Sequence, residues 1–280
     1  NTADSSNNGT QLFVPPSTFV SNYQQRNKTK DASSEYNFGI PDFFPLINNS
    51  SSWAGISILP AWKNSFHIVA SSNITPVVLV CGTKNAGKST YCRCLANNLL
   101  NHFPSLAWLE TDLGQPEFAA PGMVALSTVQ VPLFGTPMTH PIVPERAFFV
   151  GATSPNDPEF YLKCIQDLYQ DFLATNTQAD DNSNQTLSTP VIVNTHGWVK
   201  GLGKDILLQL IRLIQPTHIM QITSSEEPDK LSLNSVCTDY YRPVIVDVPS
   251  IAASNAVVPI GAPEKRLHQL LSYVTKGRIH

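Results

Sequence analysis

Gly82-Thr83-Lys84-Asn85-Ala86-Gly87-Lys88-Ser89-Thr90 follows the pattern G-x-x-x-x-G-K-[ST]. In such a loop the backbone N–H groups and the start of the next helix cradle a polyphosphate. The lysine, here Lys88, reaches the β/γ-phosphates, and the hydroxyl of Ser89 can join a Mg²⁺ shell. The flanks suit this reading. Val77-Val78-Leu79-Val80-Cys81 is a short apolar run fit for a buried parallel strand, and Tyr91, Leu95 and Leu99 recur at helical spacing behind the loop. Strand, glycine loop and helix together imply a nucleotide-binding α/β chain.

Working outward, the order from residue 76 onward alternates strand and helix, which calls for a mostly parallel sheet flanked by helices. Strands are expected at 77–81, 106–111, 146–150, 190–194, 218–222 and 243–247, and helices at 88–101, 158–174, 203–215 and 263–274. Residues 51–75, around Trp53, Trp62 and Phe66, read as a helix leading into the core, and 1–50 as a polar, irregular tail. The low-complexity stretch 176–189 reads as a surface loop. The expected partition is an N-terminal accessory region (1–75), a P-loop domain (76–225) and a C-terminal accessory segment (226–280).

Composition narrows the class. With 280 residues, 42% hydrophobic content and a net charge of −3, the chain can bury a large core but is no general polyanion-coating protein. A nucleic-acid substrate would need a local basic groove. Its sources would be Lys84, Lys88, Arg93, Lys200, Lys204, Lys265, Arg266, Lys276 and Arg278, each equally readable as part of a solvated face. The five cysteines form neither C-x-x-C nor zinc spacing, and no apolar run reaches membrane-spanning length. The expectation is a soluble intracellular protein with no membrane partner, in which sequons such as Asn27-Lys28-Thr29 are incidental.

A P-loop enzyme needs an acid at the end of a neighbouring strand. Asp112 closes the run Leu106-Ala107-Trp108-Leu109-Glu110-Thr111-Asp112. Alone it would pass for an acidic turn residue; beside a phosphate loop it reads as a functional carboxylate.

Four segments now stand in order: Gly82–Thr90, Asp112-Leu113-Gly114-Gln115-Pro116-Glu117-Phe118, Gly151-Ala152-Thr153-Ser154-Pro155, and Asn194-Thr195-His196-Gly197-Trp198-Val199-Lys200-Gly201. Together they resemble the eukaryotic polynucleotide 5′-hydroxyl kinases, most closely the nucleolar branch that serves pre-ribosomal-RNA processing. The likeness covers about residues 53–215.

The resemblance implies transfer of the γ-phosphoryl group of ATP, with Mg²⁺, to an RNA 5′-hydroxyl. It implies that Gly82, Thr83, Lys84, Asn85, Ala86, Gly87, Lys88, Ser89, Thr90 and Gln115 hold the nucleotide, that Lys88 stabilises the moving phosphoryl group, and that Ser89 and Asp112 serve the metal. Asp112, matching the second acid of D-x-D-x-G-Q, would take the proton of the 5′-hydroxyl; the first acid is replaced by Glu110. Thr153, Ser154, Pro155 and Trp198 would clasp the RNA. A stacking aromatic beside hydroxyl donors is a sequence-tolerant grip on a single strand. Trp198 could alternatively be a core residue, but its glycine-flanked setting favours a loop, where His196 reads as a hydrogen-bond partner. The family's lid arginines have one counterpart between 223 and 260, Arg242. A HEPN-type endoribonuclease partner, a higher-order complex and a nucleolar location in the nucleus are implied as well.

Two other readings stay open. One is an ATP-bound scaffold that stabilises a ribonuclease with little kinase activity of its own. The other is a different P-loop NTPase, against which the clasp-like residues and the lack of an N-K-x-D guanine motif both speak.

Overall fold

In the computed structural model, residues 58–140, 142–179, 185–223, 233, 236–251 and 261–276 are described. The expected tail at 1–50 and Trp53 lie outside the described residues.

Helix α1 (Pro60–Ala70) precedes strand β1 (Val77–Gly82), helix α2 (Lys88–Leu99) and strand β2 (Leu106–Glu110). Then come β3 (Met123–Val129), β4 (Arg146–Phe149), helix α3 (Pro158–Asn176), a small hairpin β5 (Thr177–Ala179) and β6 (Gln185–Leu187), and β7 (Val191–Asn194). Helix α4 (Leu202–Ile214), β8 (His218–Thr223), β9 (Val244–Pro249) and helix α5 (Ala262–Lys276) complete the order.

One sheet runs β4-β3-β2-β7-β1-β8-β9. From β2 to β9 every pairing is parallel, while β3 is antiparallel to both β2 and β4. Strand β1 shows why the sheet is covered on both sides. Val77, Leu79 and Cys81 belong to one apolar cluster with α3 and α4, and Val78 and Val80 belong to another with α1 and α2. Alternate side chains point to opposite faces, so a strand buried on both reads as an unbroken apolar run. Brought into parallel register, β1, β2, β7 and β8 end on the same side, and their following loops gather there.

The expected strands and helices are present, their ends differing by at most two residues, and the helix expected within 51–75 is Pro60–Ala70. Strand β3 was not expected, because the Pro121-Gly122 turn before it hides a run that pairs back onto β2. The stretch read as a surface loop holds the β5–β6 hairpin on either side of 180–184, which lie outside the described residues.

Among the described residues, contacts cross the boundaries of the expected three-part division. Strand β9, placed in the C-terminal accessory segment, pairs with β8 along its length. The Trp62 indole N–H of α1 donates to the Pro249 carbonyl at 2.8 Å, joining the supposed N-terminal accessory region to the same sheet edge. The described residues from 58 onward belong to one compact unit.

Candidate active site

The phosphate loop leaves β1 at Gly82, whose φ of +147° and closeness to the neighbouring strand both exclude a side chain. A Cβ there would lie 2.4 Å from the Ile222 carbonyl. The loop turns through Asn85 in the left-handed region at φ 64° and enters α2 at Gly87, at φ 95°. Ser250, just past β9, donates its hydroxyl to the Ala86 carbonyl at 2.9 Å, so the far strand pins the loop. Nothing in the sequence marks Ser250 for this task; the bond joins residues 164 positions apart.

Lys88 is buried, and its ammonium donates to the Thr83 carbonyl at 3.0 Å. Burial pulls its pKa below the ordinary lysine value, while the Asp112 carboxylate pulls it back up. Ser89 and Thr90 follow on the first turn of α2, half-buried, and Lys84 and Asn85 are exposed on the loop.

Opposite the loop, β2 ends in a carboxylate hub. Glu110 is fully buried and accepts from the Asp112 and Glu117 backbone N–H groups, each at 2.9 Å, and from the Trp108 indole at 3.2 Å. The Asn194 amide reaches both of its oxygens, at 3.0 and 3.2 Å. Burial and then the neighbouring Asp112 charge push its pKa up to about 8, against the pull of those donors. Glu110 therefore ties the 112–117 turn to β7 rather than facing a ligand.

Asp112 is half-buried. Its Oδ1 accepts the Gly114 N–H at 2.8 Å and the Gln115 N–H at 3.4 Å, an Asx turn that fixes the carboxylate and leaves Oδ2 outside the turn. The Tyr161 hydroxyl, from α3, donates to the Thr111 carbonyl at 2.7 Å and holds the same turn from below. This oxygen chemistry fits Mg²⁺, which is commonly bound through one or two carboxylates plus substrate phosphates. No group of three or more His, Cys, Asp or Glu able to hold a metal alone occurs among the described residues.

The 151–155 loop packs against this turn: a Cβ on Gly114 would sit 3.5 Å from the Thr153 carbonyl. Thr153 is exposed, Ser154 donates to the Asn156 side chain at 3.0 Å, and Pro155 is buried. The third loop leaves β7 through Thr195, whose hydroxyl donates to the Val80 carbonyl at 2.8 Å. A Cβ on Gly197 would lie 2.8 Å from Lys84 backbone atoms, so this loop leans on the phosphate loop. Trp198 is 45% exposed, which settles its setting as a loop residue and not a core one.

Phosphate loop, Asp112 turn, 151–155 loop and Trp198 are thus neighbours at one end of the sheet. Arg242 is not with them. It lies two residues before β9, whose Val244 pairs with His218 at the start of β8, and its exposed guanidinium sits 3.6 Å from Asp239. The phosphate loop follows the opposite ends of these strands, so Arg242 is corrected to a surface residue a strand length away from the site. The arginine that does arrive is Arg266 on α5. Its Nη1 donates to the Thr153 hydroxyl at 3.2 Å, and the buried Gln269 one turn on donates to the Glu117 and Ala119 carbonyls, both at 3.2 Å. Arg93, counted as a groove cation, instead turns inward to the Ser89 and Gly135 carbonyls and stands 3.8 Å from buried Glu117.

Residues 82–258 match the family described as the mRNA cleavage and polyadenylation factor CLP1 P-loop. The chain belongs to that family. Among curated relatives, it is 39% identical over 168 residues to the polynucleotide 5′-hydroxyl-kinase NOL9 of Arabidopsis thaliana, covering 59% of this chain and 45% of the relative. It is 33% identical over 230 residues to the polynucleotide 5′-hydroxyl-kinase GRC3 of Gibberella zeae, covering 76% of this chain and 30% of that protein. The chain therefore spans less than half the length of these relatives. Among solved structures, wild-type Clp1p in its complex with Pcf11p superposes with a TM-score of 0.53 at 20% identity, over 75% of this chain and 52% of that one. That likeness supports the CLP1 P-loop fold alone.

Proposed function

We propose that this chain carries the catalytic part of an ATP-dependent polynucleotide 5′-hydroxyl kinase acting on RNA ends in pre-ribosomal-RNA processing. The observation that carries the reading is the convergence of Lys88, Asp112 and the half-exposed Trp198 at one end of the sheet, in a chain similar to NOL9 and GRC3 kinases. The loop amides from Gly82 to Thr90 and the amine of Lys88 bind the ATP phosphates, with Gln115 beside them. Ser89 and Asp112 would hold Mg²⁺, which neutralises charge between the β- and γ-phosphates when bound. Asp112 takes the proton of the 5′-hydroxyl, whose oxygen attacks the γ-phosphorus as the bond to ADP breaks. Thr153, Ser154 and Pro155 steady the RNA backbone, Trp198 stacks on a terminal base, and Arg266 replaces Arg242 as the arginine facing the transferring group. Because such ends arise from metal-independent cleavage, the reading includes a HEPN-type endoribonuclease partner and a nucleolar location.

The test is transfer of radiolabel from [γ-³²P]ATP to a short 5′-hydroxyl RNA with Mg²⁺, in wild type and Asp112→Asn. Label on the wild-type product and almost none with the folded variant supports the reading. The remoteness of Arg242 favours a second one, an ATP-bound scaffold for a ribonuclease; ATP binding with no transfer by wild type would select it.

A further inference from the structure

Beside Asp112 lies a histidine for which the proposed reaction has assigned no task. His196 is 5% exposed, follows β7, and stands between Tyr161 and Trp198, with ring centroids 6.4 and 6.3 Å away. Its Nδ1 accepts the Trp198 backbone N–H at 3.2 Å. The neutral ring must then carry its proton on Nε2. That Nε2 is buried and has no hydrogen-bond partner. Burial holds the ring neutral, lowering its pKa to about 4, and among the charges acting on it the Asp112 carboxylate is foremost, ahead of Lys88.

A buried donor without an acceptor is costly, and a catalytic or positioning role is one reason for a fold to keep it. The nearby group of suitable chemistry is the Asp112 carboxylate, of which the Asx turn engages only Oδ1. Resting on the kinase reading, we propose that His196 is a positioning residue that joins the RNA-stacking tryptophan to the proton-accepting carboxylate. Its Nδ1 follows the backbone of Trp198, and with RNA stacked there its Nε2–H donates to Asp112 and aims the carboxylate at the 5′-hydroxyl. One imidazole then couples occupancy of the base platform to readiness of the base.

Two variants separate the two ends of the ring. His196→Asn keeps an acceptor near Nδ1 and removes the far donor, whereas His196→Gln restores an N–H near Nε2. Steady-state kcat and RNA KM for transfer to a 5′-hydroxyl RNA are measured, with ATP affinity and melting temperature alongside. The expected result for His196→Asn is a kcat about tenfold lower with unchanged ATP affinity and an RNA KM within about threefold of wild type. His196→Gln should recover kcat to within about threefold. A folded His196→Asn that matches wild type in kcat, or a Gln variant no better than Asn, overturns the link and leaves the kinase standing. A wild-type protein that binds ATP and RNA but transfers nothing overturns the kinase reading, and the link with it.

Discussion

Arg266 Nη1 donates to the Thr153 hydroxyl at 3.2 Å, and this contact joins α5 to a loop that packs against the Asp112 turn. A guanidinium so placed can stabilise charge on a transferring phosphoryl group, an effect worth 10³–10⁵ in rate in related systems. Arg266→Ala should lower kcat by at least about tenfold with ATP affinity nearly unchanged, whereas Arg242→Ala should stay within about twofold of wild type. Steady-state kinetics on both variants decide it, and the opposite ranking would return the role to Arg242.

Ser250 offers a cleaner test of how the phosphate loop is held. Its hydroxyl reaches the Ala86 carbonyl from the end of β9, so Ser250→Ala removes one anchoring bond and leaves no buried charge. A loss of about 1 kcal/mol in stability is expected, with ATP affinity weakened several-fold. Denaturant unfolding and nucleotide titration measure the two effects, and undiminished ATP affinity would show that the loop holds its shape without the bond.

The contrast between Ser250 and Lys88 marks how far the sequence was legible. Lys88, Ser89 and the flanking strand and helix lie within one short stretch, where spacing states geometry directly. Asp112 could be found because it ends an apolar run at the point where a partner acid is needed. Ser250, Arg266 and Gln269 act on residues more than a hundred positions away, through pairings of β9 and α5 that no local period encodes. Arg242 misled for the converse reason. It stands near β9 in sequence, but at the start of the strand, and only the parallel register shows that this is the wrong end. Glu110 stands where the family pattern has its first acid, a place that gave it no role from sequence, and its donors from Trp108, Asp112, Glu117 and Asn194 reveal a structural hub.

That hub makes Glu110 the most sensitive position around the turn. Truncation to Ala would strand several buried donors together, each costing about 1–3 kcal/mol when left unpaired. Glu110→Ala should therefore destabilise the fold by roughly 3 kcal/mol or more and lower the yield of folded protein. A melting temperature within a degree or two of wild type would show that water or repacking satisfies those donors.

Gly203 controls the tryptophan indirectly. A Cβ at this first turn of α4 would meet the Trp198 Cβ at 2.2 Å and its carbonyl oxygen at 2.9 Å, so Gly203→Ala must displace Trp198. Stacking of a base on an aromatic ring is worth about 1–3 kcal/mol. The expected outcome is an RNA KM raised on the order of tenfold at that stacking energy, with ATP affinity little changed. Equal weakening of both would instead place the damage in the phosphate loop, on which Gly197 leans.

The two histidines with lowered pKa values each add an acid-side term to the stability profile. Burial depresses His196 to about 4 and lowers His218 as well, against an unfolded value of 6.5. Between pH 6.5 and 4 the unfolded chain therefore binds more protons at these sites than the folded one. Their contribution to the unfolding free energy should then rise with pH across that window. Glu110, raised to about 8, contributes with the opposite sign in wild type and in a His196 variant alike and drops out of the comparison between them. For His196 the full span corresponds to about 3 kcal/mol as an upper bound, reached only near pH 4 and absent above pH 6.5. His196→Gln, which cannot be protonated, should flatten this part of the curve while the His218 contribution remains. Denaturant unfolding at half-unit pH steps tests this directly. Equal acid slopes in wild type and variant would mean that the imidazole is protonated as readily in the fold as outside it, and that burial does not hold it neutral.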